Sequence, residues 1–299
     1  MSKISLRGYI RDIESLIKQN HIDEAIDHCK YILKIFPKHI DTYRLLGQSY
    51  LENQMYTEAK DIFNRVLNVI PDDFISHYGL SIINEYEGNL DAAIWHMERA
   101  FEAQPSNAAI QTDLKRLYGR RDGVEPLKIR LSRGALIRMY VRGELYPQAV
   151  SEIETALSED PLRLDLKVTL AKLYSILGQH EKAKSICNAI IETTPYCYEP
   201  NKLMTELVSE KESGIYRERL IEIDPYANYL TQTIRDTSQI PEHAIMLEKL
   251  EWSPPEQEAS QPAWAVNIGA DVGPEPEITW ISEPEERVSS QAPPAAVTR

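Results

Sequence analysis

Side chains able to do chemistry are plentiful in this 299-residue chain, but their spacing assembles no familiar reaction centre. The seven histidines (His21, His28, His39, His77, His96, His180 and His243) are scattered without metal-ligand spacing. No HExxH zinc helix, no glycine-rich phosphate loop ending in Lys-Ser or Lys-Thr, and no Gly-x-Ser-x-Gly elbow occurs. Carboxylates abound without a pairing that would make an acid–base couple. Cys29, Cys187 and Cys197 read as small buried hydrophobes. The expectation is a protein that is not an enzyme, with no catalytic residue, metal or cofactor.

Two features point to binding. Lys115, Arg116, Arg120, Arg121, Lys128, Arg130, Arg133, Arg138 and Arg142 face only Asp122 and Glu125 in the same stretch, a surplus of seven positive charges. Guanidinium groups favour carboxylate or phosphate through paired, charge-assisted hydrogen bonds. A sequence pI near 5.1 and the absence of a nucleic-acid-binding pattern argue against nucleic acid. The second feature is three of the four tryptophans, Trp252, Trp264 and Trp280, among acids and prolines. Large aromatics on an acidic segment suit docking into a partner's pocket.

The elements that must position these residues follow a strict period. Ala25, Ala59, Ala93, Ala149 and Ala183 each precede a proline by twelve residues: Pro37, Pro71, Pro105, Pro161 and Pro195. The prolines step by 34 residues, save for one interval of 56 between Pro105 and Pro161. Other columns keep the register. Leu46, Leu80, Leu136 and Leu170 lie 25 residues before their prolines, and Cys29, Phe63, Met97, Ile153 and Cys187 lie eight before. Offsets of three and four put these residues on one face of each of two helices per unit. Alanine lets the helices approach closely, and proline stops the second one. Gly178 and Asn89 fall in turns where left-handed dihedrals are expected.

The run Tyr43, Leu46, Gly47, Tyr50, Ala59, Phe63, Pro71 resembles the tetratricopeptide repeat (TPR) family, and the likeness covers roughly residues 6–225. The resemblance implies an all-α, right-handed superhelical solenoid of helix-turn-helix units that binds peptides or domains in its groove. Mapped onto this chain, the groove-lining positions are Arg44, Gln48, Arg138, Arg142, Lys172 and Lys202. The carboxylate clamp of the family's chaperone-binding members does not map: Ile10, Glu14, Leu45, Ile75 and Gly79 stand where its polar residues belong. Co-chaperone activity of that type is disfavoured.

The expected organisation is an N-terminal TPR array over 1–118, a basic linker at 119–129, a C-terminal array with a degenerate cap over 130–250, and a tail at 251–299. Within the last unit, Gly214 is expected to break a helix. The tail holds eight prolines and nine acids against Arg287 and Arg299, a composition that predicts disorder. No signal-peptide core precedes Leu16, and no run is long enough to span a bilayer, so a cytoplasmic location is expected. The leading reading is a scaffold or adaptor whose array binds protein partners, acidic peptides among them, while the tail recruits another; oligomeric state is left open. The alternatives are a regulatory subunit autoinhibited by its acidic tail, and an assembly or secretion accessory factor.

Overall fold

The computed structural model describes residues 3–231 and 236–254. Among these, thirteen α-helices run in order: α1 (Leu6–Lys18), α2 (Ile22–Ile35), α3 (Ile40–Glu52), α4 (Tyr56–Val69), α5 (Phe74–Tyr86), α6 (Leu90–Ala103), α7 (Ala108–Asp122), α8 (Arg133–Arg142), α9 (Tyr146–Glu159), α10 (Leu164–Ile176), α11 (His180–Thr193), α12 (Tyr198–Leu207) and α13 (Glu210–Ile223). Each helix packs on the next in sequence, apart from α7 and α8, so six helix pairs stack as a helical solenoid with α7 as the odd member.

The alanine column lies at the centre of the stack: all five members are fully buried. Phe63 shows how closely the helices approach. Its ring lies between Gly47 on α3 and Gly79 on α5, and a Cβ added to either glycine would come within 2.7 Å of a ring carbon. The proline column acts through the residue before it. Phe36, Ile70, Gln104, Asp160 and Thr194 leave the helix with φ between −122° and −135° and ψ between 67° and 90°, outside the helical region that a following proline disfavours. Each still donates its N–H to the carbonyl four residues back, which closes the last turn.

Within five of the six helix pairs, all but α12–α13, a left-handed residue makes the turn. Asn20, Gln54, Gly88, Glu144 and Gly178 occupy one column of the repeat, each with φ between 58° and 80°. Gly178 meets its expectation. Asn89 does not: its φ is −88°, and its side chain instead accepts the Ala92 N–H and caps α6. Aspartate and asparagine side chains make good N-caps, and the glycine beside it already supplies the positive φ.

Three boundaries differ from expectation for local reasons. Helix α7 runs through Gly119 and ends at Gly123, whose φ of 80° is a left-handed C-cap, so the linker starts four residues later than position 119. Gly214 does not interrupt α13. The break falls at Val208–Ser209, where Ser209 and Glu212 form a reciprocal capping box whose nucleation outweighs one interior glycine. Residues Glu251–Pro254 belong to the described structure, and Trp252 donates its Nε1–H to Asp27 on α2 at 3.0 Å. Trp264 and Trp280 lie outside the described residues.

Beyond α13 the chain turns back. Three short 3₁₀ turns, at Pro225–Tyr229, Thr237–Gln239 and Glu242–Ala244, lead to β2 (Met246–Glu248). This strand pairs antiparallel with β1 (Lys3–Ser5), with Ile4 opposite Leu247. Residues from both ends of the array thereby share one core: Leu6, Tyr9 and Ile13 with Tyr226, Ile240 and Leu247.

Candidate functional site

The mapped groove cations meet their own acids. Arg44 Nε donates to Asp73 Oδ1 at 2.6 Å, and its Nη1 reaches Asp41 at 2.8 Å. Arg138 Nη1 donates to Asp72 Oδ2 at 3.2 Å. Adjacent aspartates at the start of α5 therefore bring together two cations that lie 94 positions apart in the sequence. Asp73 has a second task there: its Oδ2 caps α5 by accepting the Ser76 N–H and hydroxyl. Lys172 Nζ stands 3.9 Å from Glu199, and Lys202 helps hold the Asp236 carboxyl below its ordinary range, behind the stronger effect of Ser238. Gln48 is half-buried, and Arg142 is exposed at the end of α8. Apart from Asp41, these acid partners lie 27 or more residues from their cations, and that distance hid them from the sequence.

Most of the basic stretch is likewise engaged. Arg116 and Arg120 both bind Glu85, Arg121 binds Asp122, and Arg133 reaches Glu159 at 3.1 Å. Where the 56-residue interval brings α8 back onto α6, a buried network forms. Glu102 on α6 accepts from Ser132 at 2.9 Å and from Arg163 at 2.7 Å, and Arg163 also grips Asp165 with Nε and Nη2. Burial opposes charge on Arg163, yet Asp165 and Glu102 outweigh it and raise its pKa. Asp165 is held low in turn by that guanidinium despite its burial.

A further feature escaped the sequence reading. A cleft of about 340 Å³ opens between two parts of the array that lie far apart in sequence. One wall is Lys38, Ile40, Tyr43, Arg65, Asn68 and Val69, at the start of α3 and the end of α4. The other is the end of α11 with the turn that follows it, Thr193–Tyr196, and Ile223 of α13. Ile40 and Ile223 form the apolar floor over the buried Val66, with Tyr196 and Tyr198 packed against that cluster. At the rim, the Lys38 ammonium lies 3.9 Å from the centre of the Tyr196 ring and pairs with Glu222. Partial burial works against that ammonium, and Glu222 with Tyr196 more than compensates, so its pKa is raised; Glu222 is correspondingly lowered by Lys38. The hydroxyls of Thr193 and Thr194 donate to the Ile190 carbonyl. Such a lining can bind an apolar side chain with a charged neighbour. The described residues that form it include no activated nucleophile and no acid–base pair.

Among the described residues, no cluster of three or more histidine, cysteine or acidic side chains could hold a metal ion, and no helix is long and apolar enough to cross a membrane. The cysteines are buried, and burial pushes the Cys187 thiol to about 11 and Cys197 to about 12, so neither is poised as a nucleophile.

Comparison with known proteins places these observations. Two tetratricopeptide repeat family models match, one at residues 16–80 and one at 164–197. Anaphase-promoting complex subunit 3 of Schizosaccharomyces pombe is 26% identical over 102 residues, 34% of this chain and 15% of that protein. Protein bimA of Emericella nidulans is 28% identical over 96 residues, covering 32% and 12%. The chain thus spans well under a fifth of the length of these relatives. Among solved structures, YrrB, described as a TPR protein with an unusual peptide-binding site, is 17% identical, covers 67% of this chain and 91% of its own, and has a TM-score of 0.35. MamA, also 17% identical, covers 62% and 88% with a TM-score of 0.35. The two matched stretches, together with a repeat register whose buried columns recur in five helix pairs, make this chain a tetratricopeptide repeat protein.

Proposed function

We propose that this protein is a non-enzymatic scaffold that holds a segment of a partner protein at the cleft between α3–α4 and α11–α13. The observation that carries this reading is the cleft itself: apolar on its floor, open at its mouth, and rimmed by Lys38 and Arg65. Stacked helix pairs offer extended surfaces whose usual work is holding other proteins, and a preformed apolar recess supplies the anchor that such binding needs. The partner chemistry that fits is an aliphatic or aromatic side chain flanked by carboxylates. Arg142, Lys172 and Lys202 stand as further cations for those carboxylates. Arg44, Gln48 and Arg138 join them where an acidic ligand takes the place of Asp72 and Asp73. Trp264 and Trp280 are assigned the recruitment of a second partner.

Asn68 is exposed at the mouth, so Asn68→Trp fills the recess without touching the core. Proteins retained from cell extract by the full chain and lost by the Asn68→Trp chain, at equal helicity, would identify the ligand of this site. An identical retained set for both chains would refute the assignment to the cleft.

A further inference from the structure

An open solenoid is stabilised by neighbour-to-neighbour contacts, so its two ends fray separately. This array departs from that scheme. Helix α1 packs on α2 and α3, and it also packs on residues that follow α13. Leu6 N donates to the Ile245 carbonyl at 3.0 Å, continuing the β1–β2 pairing into the helix. Arg7 donates to the carbonyls of Ile240 and Thr237 at 2.9 and 2.5 Å, and its guanidinium lies 3.9 Å from the centre of the Tyr226 ring. Tyr226 is itself buried and donates its hydroxyl to the Glu242 carbonyl at 2.8 Å. Around this centre, Arg11 forms a two-point pair with Glu242, Lys249 reaches Asp12 at 2.6 Å, and Leu250 N donates to Tyr9 Oη at 3.1 Å. Trp252 ends the series on Asp27 of α2.

We infer that residues 236–253 are the N-terminal cap of the array, supplied from its C-terminal end, so that the two ends of the array open together. Three observations carry this. The contacts bridge more than 220 positions in sequence and include backbone pairing, so they fix register as well as proximity. They cover apolar surface, since Leu6, Tyr9 and Ile13 share a core with Tyr226, Ile240 and Leu247. A second seam, the one that floors the cleft, joins Ile40 and Val66 to Ile223, with Lys38 on Glu222 above it. Detaching the cap uncovers α1, and loosening α1 and α2 withdraws the support of α3 at that second seam. This coupling of the ends does not depend on any ligand filling the cleft.

Hydrogen exchange of the full chain, read by segment, tests it in both directions. Leu247→Asp places a charge in the shared core. The expected result is exchange faster by about tenfold or more in α1 and α2, and in α13, with α5, α6 and α10 unchanged. Ile4→Asp, made at the opposite end, must produce the same pattern, speeding α13 although it lies more than 200 positions away. Trp252→Ala repeats the test in a milder form at a partly exposed site, with the same direction expected should Leu247→Asp prevent folding. An effect confined to residues 236–253 after Leu247→Asp, or to α1 and α2 after Ile4→Asp, would overturn the inference. It would leave a solenoid whose ends move independently.

Discussion

At the scale of single residues, the histidines do structural work that their spacing concealed. His77 Nε2 bonds to the Pro71 carbonyl, and its Nδ1 lies 3.0 Å from Nδ1 of His96, so one ring must be neutral for the pair to share a proton. Tyr43, Gln111 and Asn201, each six residues after a repeat proline, serve the same carbonyl in their own units. Burial lowers the pKa of His28, His39, His77 and His96, the last to about 3, with His77 and then Arg99 adding to the effect. A lowered histidine binds its proton in the unfolded chain first. The stability it contributes is therefore complete above the unfolded value, about 6.5, and declines as pH falls below it. The urea midpoint is expected to drop between pH 7.5 and 5, with a smaller drop in His96→Gln; equal slopes for both proteins would show that His96 has no part in the effect. The buried Arg163 gives a sharper case. Arg163→Met strands Glu102 and Asp165 without their cation, at an expected cost of about 3–5 kcal/mol in urea unfolding. A loss no larger than that of an exposed ion pair, under about 1 kcal/mol, would show that the network is solvated.

At the scale of elements, the sequence was most legible where the repeat imposes identical geometry on every unit. Ala59 and Pro71 could be read because their roles recur, and burial of the whole alanine column follows from that recurrence. Gly214 and Asn89 depart from expectation because neighbouring residues decide their conformation: Ser209 with Glu212 in one case, Gly88 in the other. Two substitutions test the packing that recurrence implies. Gly79→Ala improves helix propensity by roughly 0.5–1 kcal/mol, yet drives a methyl into the Phe63 ring. Overpacking costs about 1–3 kcal/mol, so the net expectation is destabilisation. A stabilised Gly79→Ala protein would mean that Phe63 has room to move. Gln54→Gly acts in the opposite sense. At φ of 58° the glutamine side chain strains the turn, and its removal is expected to raise stability by up to about 1 kcal/mol. No gain, or a loss, would show that the turn conformation carries no strain.

At the scale of the molecule, the periodic columns gave the stack of helix pairs but not what lies between distant parts of it. The cleft and the docking of residues 236–253 on α1 both join units that lie far apart in the sequence. Periodicity reports on neighbours, and these contacts are not between neighbours. The proposed function requires that α3–α4 and α11–α13 face each other across one cleft and thereby form a binding site that neither half contains. Spin labels on cysteines introduced at Asn68 and Thr193, both exposed at its mouth, measure this directly. The native thiols are buried and shifted well above the ordinary range, so the labels report only the introduced sites. One narrow distribution at short distance is expected in the full chain. A broad or long-distance distribution would contradict the proposal, because the two walls would then belong to separate surfaces.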